Sequence, residues 1–234
     1  MRQNHSYPNE LSAQTILLIS AIVASVLYVA TDVIASLTYE GYSYFDQNYS
    51  ELLATDAPTR PYMLGVSVLY NLLMAAFALG VWKLRTHSRA ARITAAMLFG
   101  YVVLSMVTPL FFQMDMRGTE ATARGELHAP LTLVMSLFIV LSMGFGSSLL
   151  GNRFRIYSFA TIVLVILFGL VTGLQVPELA AGESTPWMGL TERINIYATM
   201  LWFVVLAAGL LQRHSPPVLR VRSKPFVKPQ RAVR

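Results

Sequence analysis

Residues 124–138, RGELHAPLTLVMSLF, place a single imidazole, His128, at the mouth of a long uncharged run, with Glu126 before it and Pro130 after it. An imidazole in that position suits general acid or base chemistry, and it suits equally a plain capping or hydrogen-bonding role. Pro130 fits the first turn of a helix, where no backbone N–H is missed, so His128 is expected beside the N-cap. A second pair, Glu192-Arg193, opens a later run in GLTERINIYATMLW. There Thr191 is the expected N-cap. Glu192 matches the positive end of the helix and Arg193 opposes it. Such a guanidinium needs an acid, and the candidates are Glu51, Asp115 and Glu126. Glu51 is the favoured partner, because YSELLA can fold back over its neighbours as one amphipathic turn.

Arg60 and Arg117 join these residues at the ends of other apolar runs, and Asp32 is the only acid well inside one. A mid-helix aspartate costs about 2.5–3.5 kcal/mol in a bilayer. It is expected either to bond a Ser, Thr or Tyr of a neighbouring helix or to face a polar cavity. The candidate polar site therefore comprises Asp32, Glu51, Arg60, Asp115, Arg117, His128, Glu192 and Arg193, with His128 as the candidate catalytic group.

The elements that must position these residues follow from hydropathy. Of 234 residues, 55% are hydrophobic and only 13% charged, about half the charge of a soluble domain; mean hydropathy is +0.53. Too little polar surface remains to face water, and lipid is the natural solvent. Charge-free runs long enough to cross a bilayer predict six helices, about 12–39, 61–84, 93–114, 128–150, 156–177 and 192–212. The fold class is an all-α bundle of six transmembrane helices filling residues 1–212, followed by a basic cytoplasmic tail over 213–234. That tail's density of proline predicts disorder. Pro109 predicts a kink in the third helix, and Gly169 with Gly173 permits close helix approach in the fifth.

Alternate loops hold 14 of the 18 Lys and Arg residues, while Arg60, Arg117, Arg124 and Arg193 fall on the other side with ten of the twelve acids. Positive charge stays inside, so both termini are expected in the cytoplasm and the long segment 39–60 outside. A reporter that folds only in the cytoplasm, fused to the C-terminus, is expected to be active. Activity of a periplasmic reporter there instead would reverse the topology.

Several chemistries drop out. With no cysteine, disulfides, thiolate catalysis and iron–sulfur clusters are excluded. Three of the four histidines (His5, His87, His128 and His214) lie outside the apolar runs, so no metal site and no cofactor are expected. A phosphate-cradling glycine loop and a nucleophile elbow are both missing. The expected partners are the bilayer and a lipid or amphiphile, with no nucleic acid.

At NYSELLATDAPTRP, TPLFFQMDMRG, GELHAPLT and GLTERINIYATMLW, the sequence resembles the bacterial and archaeal membrane family called domain-of-unknown-function family 998. The resemblance spans all six predicted helices. It implies the same topology and a prokaryotic cell-membrane location. Ser50-Glu51, Ala57-Pro58-Thr59-Arg60, His128 and Glu192-Arg193 fall on its recurrent positions. Asp115 stands where the resemblance implies a histidine, which weakens a two-histidine mechanism. The family is also distantly similar to eukaryotic six-helix proteins concerned with lipid remodelling.

Three functions fit these residues. The leading one is handling of a lipid or amphiphile in a pocket open to the outer face. The second is an enzyme acting on lipid headgroups, with His128 as acid or base and Arg193 as the anion clamp. The third is a structural or regulatory subunit without a ligand.

Overall fold

A computed structural model describes residues 12–84 and 88–214. Helix is the only regular secondary structure among the described residues, with no strand. Six helices are long and apolar enough to cross a membrane: α1 (Ala13–Thr38), α2 (Arg60–Trp82), α3 (Arg89–Phe111), α5 (His128–Gly146), α6 (Asn152–Gly173) and α8 (Met188–His214). Two short helices, α4 (Ala123–Glu126) and α7 (Val176–Ala180), sit in connections, and a single 3-10 turn covers Tyr49–Leu53. The protein is a multi-pass membrane protein. His5, His87 and the tail from residue 215 lie outside the described residues.

The helices are predominantly apolar, and apolar on their outward faces, as lipid-facing helices are. Large side chains such as Leu37, Leu133, Ile156 and Val163 stand exposed on the outside. The interior is built from small and aromatic residues. Ala21 and Ala24 of α1, Ala78 of α2, and Ala91 and Ala95 of α3 are fully or nearly fully buried around Phe77, Trp202 and Phe203. Small residues let backbones approach, which in lipid replaces the hydrophobic drive between helices. Gln14 donates to the Gly80 carbonyl across the α1–α2 contact (2.8 Å), and Trp202 donates to Ser158 across α8–α6 (2.9 Å). Of the expected GxxxG pair, Gly169 lies close to Asn195 of α8, whereas Gly173 meets open space.

Neighbours run α5–α3–α2–α1–α8–α6 around the bundle, and α6 returns only loosely to α5. The buried residues of α5 are Ser142, Met143 and Gly146, all near its C-terminal end. Its other half stands off from α8, and a cavity opens there.

One boundary differs with consequence. The last helix begins at Met188, four residues before the predicted start, after Trp187 takes a positive φ of 64°. Thr191 is therefore inside the helix, bonded to the Met188 carbonyl and to Thr172, and does not cap it. The first turn is held instead by the long loop, whose Phe45 carbonyl accepts from the Leu190 N–H.

Candidate functional site

Starting α8 early carries Arg193 into the second turn and inward, where it is only 1% exposed. Its partner is Asp32, not Glu51. Nε and Nη2 form a bidentate fork on the Asp32 carboxylate at 2.9 and 2.8 Å. Nη1 donates to the Tyr44 and Gln47 carbonyls, and to Gly189 one turn back. Nη2 also reaches Tyr42 and Ser36. The Tyr44 ring lies 3.9 Å from the guanidinium carbon, a cation–π distance, and its hydroxyl bonds Tyr197, which donates to Asp32. All five guanidinium N–H groups are engaged, so Arg193 keeps none for an anion. Satisfying the fork with carbonyls and a carboxylate is what makes a buried guanidinium tolerable. The result pins the segment after α1 onto the head of α8.

Glu51 is used differently. With Asn48 it makes a reciprocal capping box around the 3-10 turn, and its carboxylate accepts from Arg117 (3.1 and 2.9 Å). The YSELLA turn is folded into the protein: Glu51, Leu52 and Leu53 are buried, because Leu52 and Leu53 pack against Met63 and Ala35. Arg117 also bonds Thr185 and the Glu183 carbonyl, so this pair ties three connections together. Burial raises the Tyr42 and Tyr49 phenols above their ordinary value. Tyr42 thus stays neutral, accepting from Arg193 while donating to the Gln47 and Asn48 carbonyls. The Trp187 N–H, then the Ser43 hydroxyl, hold the Asp46 carboxyl below its ordinary range.

Beneath this loop, in the loop-side half of the bundle, lies a cavity of about 160 Å³. Tyr49, Ser50 and Leu53 of the turn and Gln113 and Met114 after α3 line its loop end. Its walls carry polar stripes on otherwise apolar helices. α3 supplies Tyr101, Ser105 and Thr108, α8 supplies Glu192, Asn195 and Thr199, and α5 supplies Thr132 and Ser136. Tyr28 stacks on Tyr49 at 4.7 Å and meets Tyr70 edge-on at 5.2 Å, and Tyr70 bonds Tyr101 hydroxyl to hydroxyl (2.6 Å). Met135, Ile139, Ile196 and Met200 make the apolar part.

Two buried oxygens on this wall, Thr108 Oγ1 and Gln113 Oε1, have no hydrogen-bond partner. Glu192 lines the cavity and accepts one bond, from the Tyr49 N–H; its second oxygen accepts none from the described residues. His128 does not cap its own helix. Its Nδ1 bonds the Phe112 carbonyl at 2.9 Å. A carbonyl only accepts, so Nδ1 carries the proton and, in the neutral ring, Nε2 is an acceptor.

The family model described as "Protein of unknown function (DUF998)" matches residues 22–209, which run from the first turns of α1 almost to the end of α8. The chain belongs to the DUF998 family. No curated protein and no solved structure matches it.

In this DUF998 protein the eight residues expected at one site separate into five groups. Asp32 and Arg193 make the buried pair, and Glu51 and Arg117 the half-buried one. Arg60 spends its guanidinium on the Leu53 and Pro109 carbonyls. Asp115 caps the connection to α4 through the Thr122 N–H and hydroxyl. Only Glu192 and His128 line the cavity. The tyrosines, serines and threonines of its wall went unrecognised in the sequence. Their spacing was a usable signal: Tyr101, Ser105 and Thr108, like Glu192, Asn195 and Thr199, each fall on one helical face.

Proposed function

We propose that this DUF998 protein binds a lipid or other amphiphile in the cavity between α5 and α8. The cavity faces the outer leaflet of the cell membrane, with both termini cytoplasmic. The observation that carries the reading is a wall both polar and apolar, on which the buried Thr108 hydroxyl lacks a partner. Buried polar groups are nearly always satisfied, and a ligand oxygen or nitrogen would complete this one. A volume near 160 Å³ is close to that of an engineered cavity that holds one benzene. It accommodates a head group or a chain segment, and the remainder of the ligand lies along the loose side of α5, in the bilayer. The headgroup-enzyme reading draws less support, because its anion clamp, Arg193, is fully engaged elsewhere. The charge asymmetry of the loops supports the outward orientation.

The test is mass spectrometry of lipid co-purifying with the protein, compared with Ser136→Leu. Ser136 bonds only the Thr132 carbonyl of its own helix, so leucine fills the cavity while the helix persists. The wild type is expected to carry a lipid-like species at near-stoichiometric level, and the variant to lose it at unchanged folded yield. An empty wild type, or equal occupancy in both, overturns the reading.

A further inference from the structure

The cavity also carries a charge preference. Among the described residues no lysine or arginine lines it, and Glu192 is its one acid. The arginine next in sequence makes its ion pair with Asp32 instead, at 2.8 Å. Glu192 is therefore an acid inside the cavity without an ion-pair partner among the described residues, held by one backbone N–H. An acid in a low-dielectric interior is costly until a cation or donor reaches it. The other unmet groups ask for the same thing. Gln113 Oε1 can only accept, Thr108 Oγ1 has accepting lone pairs free, and neutral His128 presents Nε2. Four tyrosines complete the wall, and aromatic rings beside a carboxylate are the chemistry that recognises ammonium groups. An anionic head group would meet no cation on this wall and would stand beside the Glu192 carboxylate. The approach is biased too: this end of the molecule holds ten acids against four arginines, and such a field draws cations in.

We propose, resting on the amphiphile reading above, that the ligand carries a positively charged ammonium head, with Glu192 as its counter-ion and Tyr28, Tyr49 and Tyr70 as its aromatic wall. The apolar tail leaves between α5 and α8.

The test uses the full chain in nanodiscs of zwitterion-free, uncharged lipid, titrated calorimetrically with hexylammonium, hexanol, hexanesulfonate and methylammonium. Hexylammonium is expected to bind best, and Glu192→Gln, which keeps an acceptor for the Tyr49 N–H, is expected to weaken it about tenfold or more, in line with a desolvated cation contact. Hexanol is expected to bind more weakly and to be indifferent to the substitution. If hexanol or hexanesulfonate matches the cation in the wild type, the ammonium inference is overturned while the amphiphile reading stands. If methylammonium binds as tightly as its hexyl counterpart, the ammonium preference is upheld and the amphiphile reading falls. If none of the four binds, both fall. The wild-type series decides between these outcomes even if Glu192→Gln does not fold.

Discussion

Arg193→Ala and Asp32→Ala are each expected to destabilise the protein by about 3–5 kcal/mol, because either change strands a buried charge. The two residues are 1% and 0% exposed and joined by a bidentate fork. The double variant is expected to lose far less than the sum of the singles, since it removes both charges together. Arg193→Lys is expected to fail nearly as badly as alanine. A single ammonium cannot span Asp32 on one side and the Tyr44 and Gln47 carbonyls on the other. The measurement is a double-mutant cycle on unfolding in detergent. Additive effects below about 1 kcal/mol, as for a surface pair, would mean that Arg193 merely extends to water. The same cycle run with Glu51→Ala is expected to show weak coupling to Arg193, because the carboxylate of Glu51 belongs to Arg117.

Gly189→Ala is the second large effect. A Cβ there would fall on the carbonyl oxygens of Gln47 and Tyr44, and within 2.9 Å of Arg193 Nη1. Both carbonyls are backbone and both accept from Arg193, so relief requires the loop to move and the fork to lose partners. The loss is expected at the upper end of the roughly 1–3 kcal/mol typical of overpacking. Gly144→Ala on α5 is the control. Nothing lies within 4 Å of its Cβ position, and alanine there is expected to add about 0.5–1 kcal/mol through helix propensity. Equal melting temperatures for the two variants would show that the loop is not clasped onto α8 at Gly189.

These two predictions differ from what Glu51, Thr191 and Arg193 suggested in sequence, and the reasons are local. The start of α8 depends on Trp187 adopting a positive φ and on Phe45 accepting from Leu190. Neither leaves a periodic trace. Moving that start by one turn shifts Arg193 from the interface to the depth of Asp32. Glu51 was recognised as an acid with an arginine partner, but the partner is Arg117, because the capping box at Asn48 turns the carboxylate toward the connection after α3. His128 was placed correctly at a helix start, yet its hydrogen bond runs to Phe112 of the preceding segment. Sixteen residues separate the two, and nothing in the local pattern of α5 encodes their meeting.

The sequence by itself determined the solvent, the number of spans and the family. These rest on runs of apolar residues and short motifs, which are properties of neighbouring positions and survive without knowledge of packing. It also determined that an unusual concentration of charge collects at one end of the helices. Only the tertiary structure decided which charges cancel and which is left over. Asp32 and Arg193 lie 161 residues apart, and Glu51 and Arg117 lie 66 apart. Each pair takes two candidates out of play by engaging them with one another. What remains, Glu192 against a wall of tyrosines from the 3-10 turn and three helices, exists because α5 stands away from α8 at the loop end while small residues draw the other helices together.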